Sequence, residues 1–127
     1  MEYLLDTHTL IWFLNGEKDL SKSARKVIET NSSKNLVSIA SIWEIAIKIN
    51  LGKIDLDTIF STMEKQLSEN FIEILPITFQ DTLTLTSLSL HHKDPFDRII
   101  ISQAINHDFT IITKDEHFAQ YKVNTLW

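Results

Sequence analysis

Asp94 and Asp97 stand three residues apart in Lys93-Asp94-Pro95-Phe96-Asp97-Arg98, directly before the apolar run Ile99-Ile100-Ile101. Asp94 reads as a helix N-cap, Pro95 as the first helical residue and Asp97 as the third. A cap with negative charge at the positive end of a helix dipole accounts for both residues without any chemistry. Asp97 gains a chemical meaning only if other acids meet it in space. Three candidates stand elsewhere: Asp6 after Glu2-Tyr3-Leu4-Leu5, Glu44 in Ser41-Ile42-Trp43-Glu44, and Asp115 after Thr110-Ile111-Ile112-Thr113. Each also has an ordinary role. Glu44 has Lys48 at i, i+4 for an ion pair, and acids are frequent at strand ends and in turns.

The elements that must position these acids follow from hydrophobic periodicity and punctuation. Strands are expected at residues 2–5, 36–38, 71–75, 110–113 and 123–126. Helices are expected at 7–14, stopped by Asn15-Gly16, and at 20–30, capped by Ser21 or Ser23. A polar turn at 31–35 precedes the second strand. Further helices are expected at 41–51, with Gly52 just past the end, and at 55–69, 79–90 and from the Asp94 cap to about Asn106. A helical turn follows at 116–121. Short apolar strands alternating with helices imply parallel pairing, and so a three-layer α/β/α sandwich with right-handed crossovers. Ligands in such sheets bind beyond the C-terminal strand ends, near the reversal of strand order. Asp6 and Asp115 are expected at that edge, Asp97 begins a helix there, and Glu44 lies about one turn into another.

Two unit charges ~5 Å apart at an effective dielectric of ~20 repel by about 3 kcal/mol. Several such pairs are a heavy load on a domain stable by only ~5–15 kcal/mol. Either some of the acids are protonated or a cation sits among them. Oxygen-only ligation suits Mg²⁺ or Mn²⁺ rather than zinc. The matching reaction is phosphodiester hydrolysis.

Composition narrows the remaining classes. A chain of 127 residues, 43% apolar and 23% charged, suits one domain over 1–127 with a real core. No apolar stretch approaches the ~18 residues of a membrane span, and the N-terminus lacks a secretory-signal pattern. The absence of cysteine excludes disulfides, thiolate zinc sites and cysteine nucleophiles, and suits a cytoplasmic protein. Two glycines are too few for a phosphate-cradling loop. A net charge of −5 argues against simple phosphate binding, but a bound metal ion reverses the local sign. A phospho-receiver module of similar build is the main alternative. It would pair acids after its first strand and end in Lys-Pro, whereas Leu5 precedes Asp6 and Asp115 follows Lys114. A phosphatase of the haloacid-dehalogenase type would carry Asp-x-Asp, but residue 8 is His. A catalytically silent binding domain of the same fold is the third possibility.

Leu4-Leu5-Asp6-Thr7, Ser41-Ile42-Trp43-Glu44-Ile45-Ala46, Asp94-Pro95-Phe96-Asp97-Arg98 with Ile101-Ser102-Gln103-Ala104, and Thr113-Lys114-Asp115 followed by Phe118 occur in that order. Together they resemble the four motifs of the PIN domain, in the version typical of VapC-like toxins of bacterial toxin–antitoxin pairs. The resemblance implies an Mg²⁺- or Mn²⁺-dependent ribonuclease with Asp6, Glu44, Asp97 and Asp115 as its acidic tetrad. Asp6 and Asp97 would be the main metal ligands, Asp115 a direct or water-mediated one, and Glu44 the residue that orients or deprotonates water. Thr7 and Thr113 would bond to acids or substrate, and Asp94 would cap its helix or serve as an auxiliary ligand. From its place directly after Asp97, Arg98 reads either as steadying the acids or contacting a phosphate, or as one half of an ion pair with a nearby carboxylate. The same resemblance implies a cognate antitoxin protein as partner and a homodimer. His91-His92 read as a solvated loop or an RNA contact, and His8, His107 and His117 as structural. Trp12, Trp43 and Phe96 read as core or dimer surface.

Overall fold

Five short strands, all parallel, form one sheet in the order β3-β2-β1-β4-β5. The computed structural model describes residues 1–30, 32–54 and 59–127. The strands are β1 (Glu2–Leu5), β2 (Lys34–Ser38), β3 (Ile72–Leu75), β4 (Thr110–Ile112) and β5 (Asn124–Leu126). The helices are α1 (Thr7–Asn15), α2 (Lys22–Glu29), α3 (Ile39–Asn50), α4 (Met63–Glu69), α5 (Phe79–Thr86) and α6 (Pro95–His107). Single 3-10 turns occupy Phe60–Thr62 and Glu116–Gln120. The expected α/β fold with a parallel, helix-flanked sheet is the observed one.

Alternation along the central strands divides the core in two, as a period of two requires. Tyr3, Leu5, Val37 and Ile112 face one side, packing on Leu10, Ile28, Ile45 and Leu67 from α1, α2, α3 and α4. Leu4, Leu36 and Ile111 face the other, against Ile100, Ile101 and Ala104 of α6 and Phe118 of the second 3-10 turn. From β1 the chain moves outward to β2 and β3, then returns to β4 on the opposite side of β1. Strand order therefore reverses between β1 and β4, and the residues following these two strands are Asp6 and Thr113 to Asp115.

Several boundaries shift for local reasons. Helix α3 begins at Ile39, two residues early, because Ser38 ends β2 and caps the helix at once through a bond from the Ala40 N–H (3.0 Å). Of the two cap candidates for α2, Ser21 is used. Gly16 adopts the left-handed conformation (φ 64°) that closes α1. The first residues of the expected 55–69 helix, 55–58, and Asn31 of the polar turn lie outside the described residues. From Phe60 a 3-10 turn leads into α4. Helix α5 stops at Thr86 rather than 90. The Ser89 carbonyl instead accepts from Arg98 Nη1 (2.9 Å) and the Tyr121 hydroxyl (2.8 Å), which draws the chain out of the helix. Among the described residues no helix is long and apolar enough to cross a membrane.

Candidate metal centre

Asp6 directly follows β1 and caps α1, a role its sequence context had not suggested. Its Oδ1 accepts from the Thr9 N–H (2.9 Å) and its Oδ2 from the Thr113 hydroxyl (2.5 Å). The Thr9 hydroxyl donates to the Ile112 carbonyl (2.9 Å), which ties the start of α1 to the end of β4. Burial pushes the Asp6 carboxyl above its ordinary range, and the bonds from Thr113 and Thr9 offset only part of that.

Glu44 is buried one turn into α3, with both oxygens engaged. Oε1 accepts from the Thr7 hydroxyl (2.7 Å) and Oε2 from Lys48 (2.7 Å). The Thr7 oxygen also lies 3.0 Å from the Ser41 hydroxyl. With one proton per hydroxyl, Thr7 gives its own to the carboxylate and receives one from Ser41. The ion pair with Lys48 and the buried position beside β1 thus coexist.

Asp94 caps α6 as its spacing foretold, its Oδ1 accepting from the Phe96 (2.9 Å) and Asp97 (3.0 Å) N–H groups. Asp97 follows on the first turn. Burial, reinforced by the charges of Asp94, Asp6, Glu44 and Asp115, pushes its carboxyl up to about 8. The acids named from the sequence are therefore near enough to oppose ionisation of this one group. Loss of the cap in Asp94→Ala is expected to destabilise the fold by about 1 kcal/mol, while Asp94→Asn keeps the acceptor and most of the stability. Thermal melting of the two variants checks this.

Asp115 begins the second 3-10 turn. Burial raises its carboxyl, but the backbone N–H and ring of His117 (2.9 and 2.8 Å to Oδ1), with the charges of His117 and His92, outweigh it and leave the group lowered. Its Oδ2 faces His92, whose Nε2 stands 2.9 Å from Asp97 Oδ2 and 3.4 Å from Asp115 Oδ2. Despite these distances Nε2 is buried and makes no well-aligned hydrogen bond. The other ring nitrogen, Nδ1, accepts from the Asp94 N–H (3.2 Å), which places the proton of a neutral ring on Nε2. His92 is therefore no solvated loop residue; it is half-buried between two of the acids. Sequence gave no spacing signal for it, since Asp115 lies 23 positions away.

The donor atoms of His92, Asp97 and Asp115 lie within 4.8 Å of one another. Oxygen ligands at ~2.0–2.6 Å from one cation can be no farther apart than about 5 Å, so the two carboxylates span a distance a single divalent ion fits. The raised Asp97 carboxyl shows that this pocket gathers more negative charge than its protein donors settle. Asp6 and Glu44 stand beside this group with their oxygens turned into internal bonds. Arg98 departs from expectation. Among the described residues it pairs with no carboxylate; its guanidinium donates to the carbonyls of Ser89 and His92 (3.3 Å) and to the Tyr121 hydroxyl (3.3 Å), clamping the loop that carries His92. His8 and His117 also lie nearer the site than expected, both lining a cleft against Asp6 and Asp115. Trp43, 60% exposed and edge-on to Phe96 (5.1 Å), is not core.

Ribonuclease VapC22 of Mycobacterium tuberculosis (strain ATCC 25618 / H37Rv) is 29% identical over 120 residues, covering 94% of this chain and 91% of that protein. VapBC2 from Rickettsia felis, solved bound to a DNA fragment from its promoter, aligns with a TM-score of 0.72 and 18% identity over 99% of this chain and 98% of the other. A toxin–antitoxin complex from Klebsiella pneumoniae aligns with a TM-score of 0.67 and 19% identity over 98% and 96%. The family description of the PIN domain matches residues 3–124, which takes in every acid of the site. The chain belongs to the PIN domain family.

Proposed function

We propose that this protein is a metal-dependent endoribonuclease that hydrolyses RNA phosphodiester bonds and acts as the toxin of a toxin–antitoxin pair. The observation that carries the reading is the grouping of Asp97 and Asp115 oxygens within 4.8 Å of one another at the sheet edge where strand order reverses, with Asp6 and Glu44 close enough for their charges to act on Asp97. The similarity to a protein named as a ribonuclease supports the activity. The complexes named above support an antitoxin protein as partner.

Asp97 and Asp115 would hold Mg²⁺ or Mn²⁺ directly, with Asp6 as a further ligand through the lone pairs its hydrogen bonds leave free. A bound divalent ion polarises the phosphate and lowers the pKa of water. The protein's own residues do the rest. Glu44, fixed by Thr7 and Lys48, is set to orient the attacking water and accept its proton as the new P–O bond forms and the ribose oxygen leaves. Thr113 holds Asp6 in place, and His92 lies between Asp97 and Asp115. The exposed Trp43, Phe79 and Leu90 supply apolar surface for a homodimer. The cytoplasm is the setting consistent with this role.

The test is cleavage of a structured RNA with Mg²⁺, Mn²⁺ or EDTA, using the wild type and Asp6→Asn. Cleavage should need the metal and disappear in the variant. Equal cleavage by both proteins, or cleavage that persists in EDTA, would sink the assignment.

A further inference from the structure

A cleft of about 480 Å³ opens against Asp6 and Asp115, and its other walls are His8, Trp12, Lys114, Glu116 and His117. Apart from the bonds of His117 to Asp115, none of these five has a part in the chemistry above. Trp12 lies on α1 and is half-buried, with one end packed into the core and Trp127 edge-on to it at 5.7 Å. Lys114 holds its ammonium 5.9 Å from the centre of the Trp12 ring, and the His8 ring stands 5.7 Å away at 38°. An indole with a cation over it, beside acids suited to a metal and phosphate, matches the two halves of a nucleotide: a flat base and a phosphate.

We propose that this cleft is a nucleobase subsite for single-stranded RNA. The base adjoining the scissile phosphate stacks on Trp12, and Lys114 swings from the ring to a backbone phosphate. This inference rests on the ribonuclease reading and names what that site selects. Acids and metal read phosphate, which is the same in every sequence. Selection among RNA sites needs a surface that meets a base, and Trp12 presents the largest ring lining this cleft, beside the imidazoles of His8 and His117. Stacking of a base on an aromatic ring outweighs an exposed cation–π contact, so the base displaces the ammonium. A base already stacked in a duplex cannot enter, which restricts the subsite to unpaired nucleotides.

Binding is read by fluorescence anisotropy in full-length Asp97→Asn protein, which is expected not to cleave. The probes are a labelled ten-nucleotide RNA, the same RNA with one abasic position moved along it, and its duplex. Trp12→Leu should weaken binding of the intact strand about tenfold, Trp12→Phe by about threefold or less. One abasic position should cost the Trp12 protein about tenfold and cost Trp12→Leu almost nothing. Lys114→Gln should reduce the slope of log affinity against log salt by about one. Melting curves show whether Trp12→Leu is folded, and Trp12→Phe retains the packing in either case. An abasic penalty of the same size in both proteins would overturn the subsite. So would a Trp12→Leu variant that binds RNA normally and fails only to bind an antitoxin protein. Metal-dependent RNA cleavage by the wild type alongside either result would leave the ribonuclease reading standing, whereas no cleavage at all would remove both.

Discussion

Asp97→Asn is expected to abolish RNA cleavage and, in EDTA, to melt at a higher temperature than the wild type. The two effects have one cause. Polarisation by the proposed metal ion would lower the barrier by several kcal/mol, and ~4 kcal/mol is about a thousandfold in rate. A carboxamide in place of the proposed ligand carboxylate should therefore lower cleavage by about a thousandfold or more. The same carboxylate is a burden on the metal-free fold, because it is buried and faces the charges of Asp94, Asp6, Glu44 and Asp115.

The sign of the pH dependence follows from linkage. Folding raises the Asp97 carboxyl from the ordinary 3.8 to about 8, so between those values the folded state holds a proton that the unfolded state has lost. Stability from this group is fully present below pH ~4 and falls as pH rises, by about 1.4 kcal/mol per unit, until the group ionises near 8. Asp6, also raised by burial, adds to the slope, and the lowered Asp115 opposes it only at acid pH. Between pH 5.5 and 7.5 the wild type in EDTA should lose about 10 °C in melting temperature. Asp97→Asn should lose much less. Saturating Mn²⁺ should reverse the ranking at pH 7.5, since the ion binds the folded wild type preferentially and the variant weakly. Parallel wild-type and variant melting curves across pH, with or without Mn²⁺, would remove Asp97 from the centre of the site.

What was legible in the sequence was what is local. Asp94-Pro95 announces a cap because the bonds it makes reach only two and three residues ahead. Lys48 announces its pairing with Glu44 because i, i+4 residues share a helix face. The alternation of elements sufficed to place Asp6 and Asp115 at one sheet edge, because parallel strands leave their C-terminal ends together. His92 was not legible. Its orientation depends on its own N–H donating to the Tyr121 hydroxyl (2.9 Å) and on the Phe118 ring packed edge-on against it, so tertiary contacts place it. The contacts of Arg98 within the chain are not legible for a related reason. Its neighbour Asp97 faces the acids, but consecutive helical residues point about 100° apart, and the guanidinium reaches the 89–92 loop instead. Helix α5 was read too long because its leucines continue past Thr86, while its hydroxyls bond back to carbonyls (Thr86 to Leu83, 2.6 Å; Ser87 to Thr84, 3.0 Å) and favour an end.

Phe118→Ala is expected to have the largest effect of any single substitution away from the acids. Phe118 is fully buried beneath the sheet face formed by Leu4, Leu36 and Ile111, in the turn that Asp115 begins. Removing a buried phenyl ring costs ~3–5 kcal/mol, a large part of a typical ~5–15 kcal/mol. A loss of at least about 10 °C in melting temperature should follow. The damage should also reach the site. The ring meets His92 edge-on at 6.1 Å, and Phe118 closes the turn through its N–H to the Asp115 carbonyl (3.3 Å). Without it, His92 and Asp115 lose the surface that sets their separation. Phe118→Leu, which refills most of the volume, should recover most of the stability. If positioning matters, cleavage by Phe118→Leu at a temperature where it is fully folded should still fall below wild type, through kcat more than KM. Full activity in a folded Phe118→Leu protein, together with a melting loss under ~3 °C in Phe118→Ala, would show that this packing supports neither the fold nor the centre.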